Sequence, residues 1–238
     1  MRSKVTKRGH PRDLPCALGA LTTSVSNEMG RTMNTRTSHA VNLGRLNPKT
    51  VRLFYLLSPV VFGGASLVIY RVRGIGLAEA FRTPVSTPRQ ILFGSLIGVV
   101  SGLIIGIAVS QSTGLATLRQ IIRQGFASAR PTRLDLLLTS VSAGFSEELL
   151  FRGSLQPLLG IWITSVLFAL AHGGAIRASK GNLAFGGFIF AVSLLLGTVY
   201  ADVGLLASMA THFALDLVVL LQYRHLVAAA HDDQAVQS

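Results

Sequence analysis

Acidic side chains are scarce in this chain: ten Asp and Glu among 238 residues, with only 13% charged residues in all. Set against 50% apolar residues and a mean hydropathy of +0.52, that scarcity excludes an ordinary soluble domain. The expected fold class is an all-α, polytopic transmembrane helical bundle. A single cysteine, Cys16, excludes an intrachain disulfide and any multi-thiolate metal site. Aromatic residues make up only 7% and are not interleaved with the basic ones, so the net charge of +12 is not the signature of a nucleic-acid interface. The Lys and Arg residues lie in the N-terminal stretch and between apolar runs, where they set topology and meet the lipid surface. No HExxH-type spacing is present, and no internal repeat of the kind transporters carry.

Residues 1–50 hold nine Lys or Arg against Asp13 and Glu28, many Ser and Thr, and no apolar stretch long enough for a signal-peptide core. This composition predicts a disordered basic tail. An organelle transit peptide shares it, as does a bacterial tail or a start assigned upstream of Met29 or Met33.

From Val51 onward, apolar runs alternate with short polar ones at about 51–70, 91–110, 134–151, 157–172, 183–200 and 205–221. Six membrane helices are expected, with 222–238 as a polar C-terminal tail. At 1.5 Å per residue the fourth and sixth runs reach only roughly 24–26 Å against a hydrocarbon thickness of ~30 Å, so they should be short or end inside the protein. The second run sets Gly94, Gly98, Gly102 and Gly106 at four-residue spacing. Such a stripe lets another backbone approach closely, either within the bundle or in a second copy. Leu115, Leu118, Ile122 and Phe126 recur at helical spacing beside Arg119, Arg123 and Arg130, which fits an interfacial amphipathic helix or a plain basic loop. The expected location is a bacterial plasma membrane with the basic N-terminus in the cytoplasm.

The chemistry centres on Ser146-Glu147-Glu148-Leu149-Leu150-Phe151-Arg152, two carboxylates and a guanidinium inside an apolar run. Charged groups at bilayer depth face a protein interior or a wet cavity and mark function. Glu148 and Arg152 stand four apart on one helix face and can pair, while Glu147 points about a quarter-turn away and has no local partner. Downstream, Phe168 to His172 closes the fourth run, and Ser208, His212 and Asp216 form an i, i+4, i+8 stripe on the sixth. A lone His172 is explained by a helix terminus and a lone His212–Asp216 pair by helix packing. Three helices that each bury ionisable groups point instead to one shared cavity.

Glu147-Glu148-Leu149-Leu150-Phe151-Arg152, then Phe168 to His172, then His212-Phe213-Ala214-Leu215-Asp216 resemble the three ordered motifs of the CPBP family, which holds the CAAX-type prenyl endopeptidases and their bacteriocin-processing and self-immunity relatives. The likeness covers about 134–221, and residues 1–133 add only hydrophobicity to it. It implies an all-helical intramembrane protease whose site is enclosed by the four C-terminal runs, in which the first glutamate and the second motif's histidine activate water. Under that resemblance the catalytic residues are Glu147, His172, His212 and Asp216, with Glu148, Arg152 and Phe168 as structural support. Asp216 stands where the prenyl endopeptidases carry Asn; an ionised carboxylate cannot donate to an oxyanion, so His212 is the expected donor and Asp216 its orienting partner. A metal version would use Glu147, His172 and His212 as ligands of Zn²⁺ with one position open for water. The implied partners are membrane lipid and a membrane-associated, prenylated or leader peptide. The alternative is a membrane protein without catalysis, such as a self-immunity factor or a small transporter using the buried acid and histidines as a proton relay.

Overall fold

The computed structural model describes residues 48–111, 119, 131–172 and 180–236, all of them helix, short turn or helix end, with no strand among the described residues. The first helix, α1, runs through Pro48–Ser58, a wide π-helical turn at Pro59–Gly63 and Gly64–Val72. A 3₁₀ turn at Leu77–Phe81 leads to α2 (Thr87–Gln111). Next come α3 (Arg133–Glu148), a second π-helical segment at Leu149–Leu155, α4 (Gln156–Ala171), α5 (Lys180–Asp202) and α6 (Leu205–Val236). The 1–50 tail, except for its last residues in α1, and the proposed 115–126 helix, except Arg119, lie outside the described residues. Arg119 Nη1 closes the C-terminus of α2, at 2.7 Å from the Ser110 carbonyl and 3.1 Å from that of Val109.

Among the described residues, five helical segments are long and apolar enough to cross a membrane: Arg52–Val72, Thr87–Gln111, Arg133–Ala171, Leu183–Asp202 and Leu205–Arg224. This is an integral membrane protein whose interior and exterior reverse the soluble pattern. Ser58, Ser140, Ser146, Ser154, Ser193, Ser208, Thr164 and Thr211 are buried, while Val60, Val72, Leu103, Ile104 and Trp162 are exposed. Small hydroxyl residues inside and branched aliphatics outside are what packing in lipid favours.

All six apolar runs are helical, but the third and fourth are joined. Arg133–Ala171 is one stretch of 39 residues, about 58 Å if straight and so nearly twice the hydrocarbon thickness. It is not straight. Gly160 sits at φ 76°, ψ 167°, a conformation open to glycine that breaks the helix there. The fourth run therefore begins after Gly160 rather than at 157. α6 continues to Val236, so the described residues after 221 are helical; no glycine or proline interrupts them.

Two prolines explain how α1 is fastened to the motif-bearing helix. Proline has no N–H, so a helix carrying it leaves the carbonyl four residues earlier without its usual donor. Pro59 frees the Tyr55 carbonyl, which accepts the Ser142 hydroxyl at 2.9 Å. Pro157 frees the Gly153 carbonyl, which accepts the Tyr70 hydroxyl at 2.5 Å. Each helix thus satisfies the other's proline defect, and Ser58 and Ser146 add a hydroxyl pair at 2.9 Å between them. The segment before 134, which lies outside the resemblance, thus packs on the motif-bearing helix through specific hydrogen bonds.

The glycine stripe of α2 is used within the chain. A Cβ at Gly94 would collide with the Ala207 backbone, one at Gly98 with Thr211 and Ala214, and one at Gly102 with Leu215 and Val218. The closeness lets Thr211 Oγ1 donate to the Gly94 carbonyl at 3.0 Å. The helix bearing His212 and Asp216 is therefore held against a chemically bare neighbour.

Candidate active site

The helix geometry sends the two adjacent glutamates to different surroundings. Glu148 is fully buried and saturated: its Oε1 accepts from Arg152 Nη1 at 3.0 Å and from His212 Nδ1 at 2.8 Å. Its Oε2 accepts from the Ser208 hydroxyl at 2.5 Å. Since a carboxylate oxygen already receiving from Arg152 is an acceptor, His212 Nδ1 must carry the proton. Arg152, also fully buried, turns Nη2 to the Ser193 carbonyl and hydroxyl, both at 2.9 Å. Its guanidinium lies 4.6 Å from the centre of the Phe168 ring.

Glu147 has no such network. Its carboxylate is nearly buried, and Oε2 lies 3.4 Å from His172 Nε2, whose side chain is 33% exposed. That oxygen has no hydrogen-bond partner among the described residues. His172 Nδ1 is 2.8 Å from the Phe168 carbonyl, which can only accept, so this nitrogen holds a proton and Nε2 is left facing Glu147. Burial disfavours the charged imidazole, but the Glu147 carboxylate outweighs it with help from the Phe168 carbonyl, and the His172 pKa is raised above the ordinary histidine value.

Phe168 is the hub between the two groups. Its ring stacks on His172 at 4.2 Å and meets Phe151 edge-on at 4.9 Å and His212 at 6.0 Å. Glu147, Phe168, His172, His212 and Asp216 share the wall of one cavity of about 280 Å³, whose other walls include Phe54, Ile105, Phe188 and Leu215. Asp216 Oδ2 stands 3.5 Å from His212 Nε2, with its side chain 30% exposed. All seven residues singled out from the sequence therefore meet in one place, from α3, the π-helical segment, α4 and α6.

Sequence reasoning assigned Glu148 only to Arg152 and made Asp216 the partner that orients His212; in the structure Glu148 is the closer partner of His212. Ser193 was missed because a single serine in an apolar helix carries no signal of its own. Phe54 was missed because α1 has no motif. The conditional zinc set of Glu147, His172 and His212 does not fit the donor geometry: among the described residues no three His, Cys, Asp or Glu side chains converge on a point where one ion could sit.

With this geometry in view, comparison with known sequences is informative. Residues 129–218 match the Type II CAAX prenyl endopeptidase Rce1-like family. The resemblance read from the three motifs is thereby shown for that segment, which contains all seven residues singled out from the sequence. The chain is also 36% identical over 101 residues to the uncharacterized protein YpbD of Bacillus subtilis (strain 168). That alignment takes in 41% of this chain and 51% of the relative, so the chain spans about half the length of the curated relative it matches. No solved structure matches.

Proposed function

We propose that this protein is an intramembrane endopeptidase of the CAAX-protease-like kind, hydrolysing a peptide bond in a membrane-associated peptide or protein. The observation that carries the reading is the facing pair of Glu147 Oε2 and His172 Nε2, 3.4 Å apart, on the wall of a cavity otherwise largely apolar. A water touching both is held by the imidazole through Nε2 and gives a proton to Glu147 as its oxygen attacks the scissile carbonyl carbon. The carbonyl oxygen gains the negative charge. His212 acts as the imidazolium: its Nδ1–H is committed to Glu148, its Nε2–H donates to that oxyanion, and Asp216, 3.5 Å from Nε2, balances the charge of the imidazolium. Collapse of the intermediate breaks the C–N bond, and the proton held by Glu147 passes to the leaving amine, so the carboxylate is restored. Aliphatic and aromatic walls exclude bulk water and suit a substrate with an apolar flank.

The test is direct: purified protein in lipid nanodiscs is incubated with a library of membrane-anchored peptides, and products are identified by mass spectrometry. Cleavage at defined bonds by the wild type, absent with Glu147→Ala, is expected. If no peptide is cut by the wild type, or if the variant cuts the same bonds at the same rate, the protease reading fails.

A further inference from the structure

We propose that the end of α1 carries a binding site for an anionic glycerophospholipid, separate from the cleavage cavity. The chain there forms a half-open cavity of about 450 Å³ that includes Tyr70, Arg71, Gly74 and Gly76 in its lining. The membrane-capable stretch of α1 ends at Val72, which puts this cavity at the level where hydrocarbon gives way to headgroups.

Three features select the ligand. The first is charge: between 71 and 89 the chain has four arginines and one acid, Glu79, and that carboxylate is occupied by Arg82 at 3.1 Å. Arg71, in the last turn of α1, thus lines the cavity at the start of a segment of net positive charge, which draws in anions. The second is bare backbone. Gly74, at φ 65°, and Gly76 have nothing within 4 Å of the place a Cβ would occupy, so a bulky headgroup can lie against the peptide planes. The third is the apolar wall of Leu67, Ile75 and Leu77. It is continuous along α1 with Val68 and Val72, which are 62% and 83% exposed. Such a wall offers a soluble anion nothing, whereas a lipid's acyl chain can pack along it while its headgroup reaches Arg71. The Tyr70 hydroxyl is already given to Gly153, so the guanidinium is the polar recognition group and the tyrosine ring is part of the wall.

The experiment is native mass spectrometry of the full chain released from nanodiscs containing equal phosphatidylglycerol and phosphatidylcholine. Selective retention of phosphatidylglycerol is expected. Arg71→Gln should weaken it about five-fold, the effect of one surface arginine. Gly76→Leu keeps every charge, and its extended backbone (φ −76°, ψ 148°) accepts a side chain, so by filling the cavity it should reduce retention as well. Arg89→Gln, in the first turn of α2 and not in the lining, should leave retention unchanged. Equal retention of the two lipids overturns the proposal, as does an equal loss with Arg89→Gln, which would show diffuse surface attraction. Displacement of the lipid by millimolar inorganic phosphate would overturn it too, by making the site one for a soluble anion.

Discussion

Glu147 and Glu148 are neighbours in the chain and opposites in their surroundings. Glu148 is saturated by a guanidinium, an imidazole and a hydroxyl, whereas Glu147 has one partner at 3.4 Å and a cavity in front of it. A fully buried carboxylate that already accepts from three protein donors has little left to offer a reacting molecule. One with unfilled sites and a nearby imidazole is available for proton transfer. The contrast is the basis for proposing Glu147 rather than Glu148 as the base, and it arises because successive helix positions differ by about 100°.

The comparison breaks most visibly at Glu147. Glu147→Gln keeps shape and removes the proton acceptor, so cleavage should fall by roughly 10²-fold to 10⁴-fold with the thermal transition in detergent unchanged. Wild-type turnover by this variant on a cleaved peptide would erase the distinction. On the other side, Arg152→Ala leaves Glu148 buried beside His212 without its guanidinium, and folded yield should drop by the equivalent of about 3–5 kcal/mol. Size-exclusion profiles and thermal melts check this; a stable, fully active Arg152→Ala protein would refute the structural role. Ser208→Ala removes one donor from the same carboxylate and should cost about 1–3 kcal/mol in the same melts. An Ala variant as stable as wild type would show that Glu148 is less tightly held than its distances imply.

The mildest effect is a titration. Because Glu147 holds the His172 pKa above its ordinary value, Glu147→Gln should lower the midpoint seen by NMR of a ¹⁵N-histidine-labelled protein. The sign also fixes the pH window of stability. With a folded-state pKa raised over the unfolded one, the stabilisation from this contact is complete below the ordinary histidine pKa and is lost as pH rises through the raised value. An unchanged midpoint in the variant would mean that the carboxylate and imidazole do not interact.

Much of this arrangement was legible in the sequence, for identifiable reasons. Membrane segments declare themselves through length and hydropathy, and the i, i+4 spacing of Glu148 and Arg152 foretold a contact made at 3.0 Å. The order of the motifs brought His172 and His212 to the right helices. What periodicity could not provide was which groups meet across helices, so the 2.8 Å bond from His212 to Glu148 and the grip of Ser193 on Arg152 stayed hidden. The break at Gly160 was equally hard to read, since an isolated glycine in an apolar run marks packing as often as a turn. Pro59 and Pro157 were the overlooked clue. Each announces a vacant carbonyl four residues upstream, and a search for hydroxyl side chains able to fill it would have pointed to Ser142 and Tyr70.

The notched face of α2 has one more consequence. Gly94, Gly98, Gly102 and Gly106 engage Ala207, Thr211, Leu215 and Gln222 in step, like the teeth of a rack against a second rack. Sliding α6 along its axis by a single helical turn would move His212 by about 5.4 Å and take it off Glu148 altogether. The depth at which His212 and Glu148 meet is therefore indexed by a helix that contributes no ionisable group to the cavity, and a substitution on that helix can detune the site without touching it.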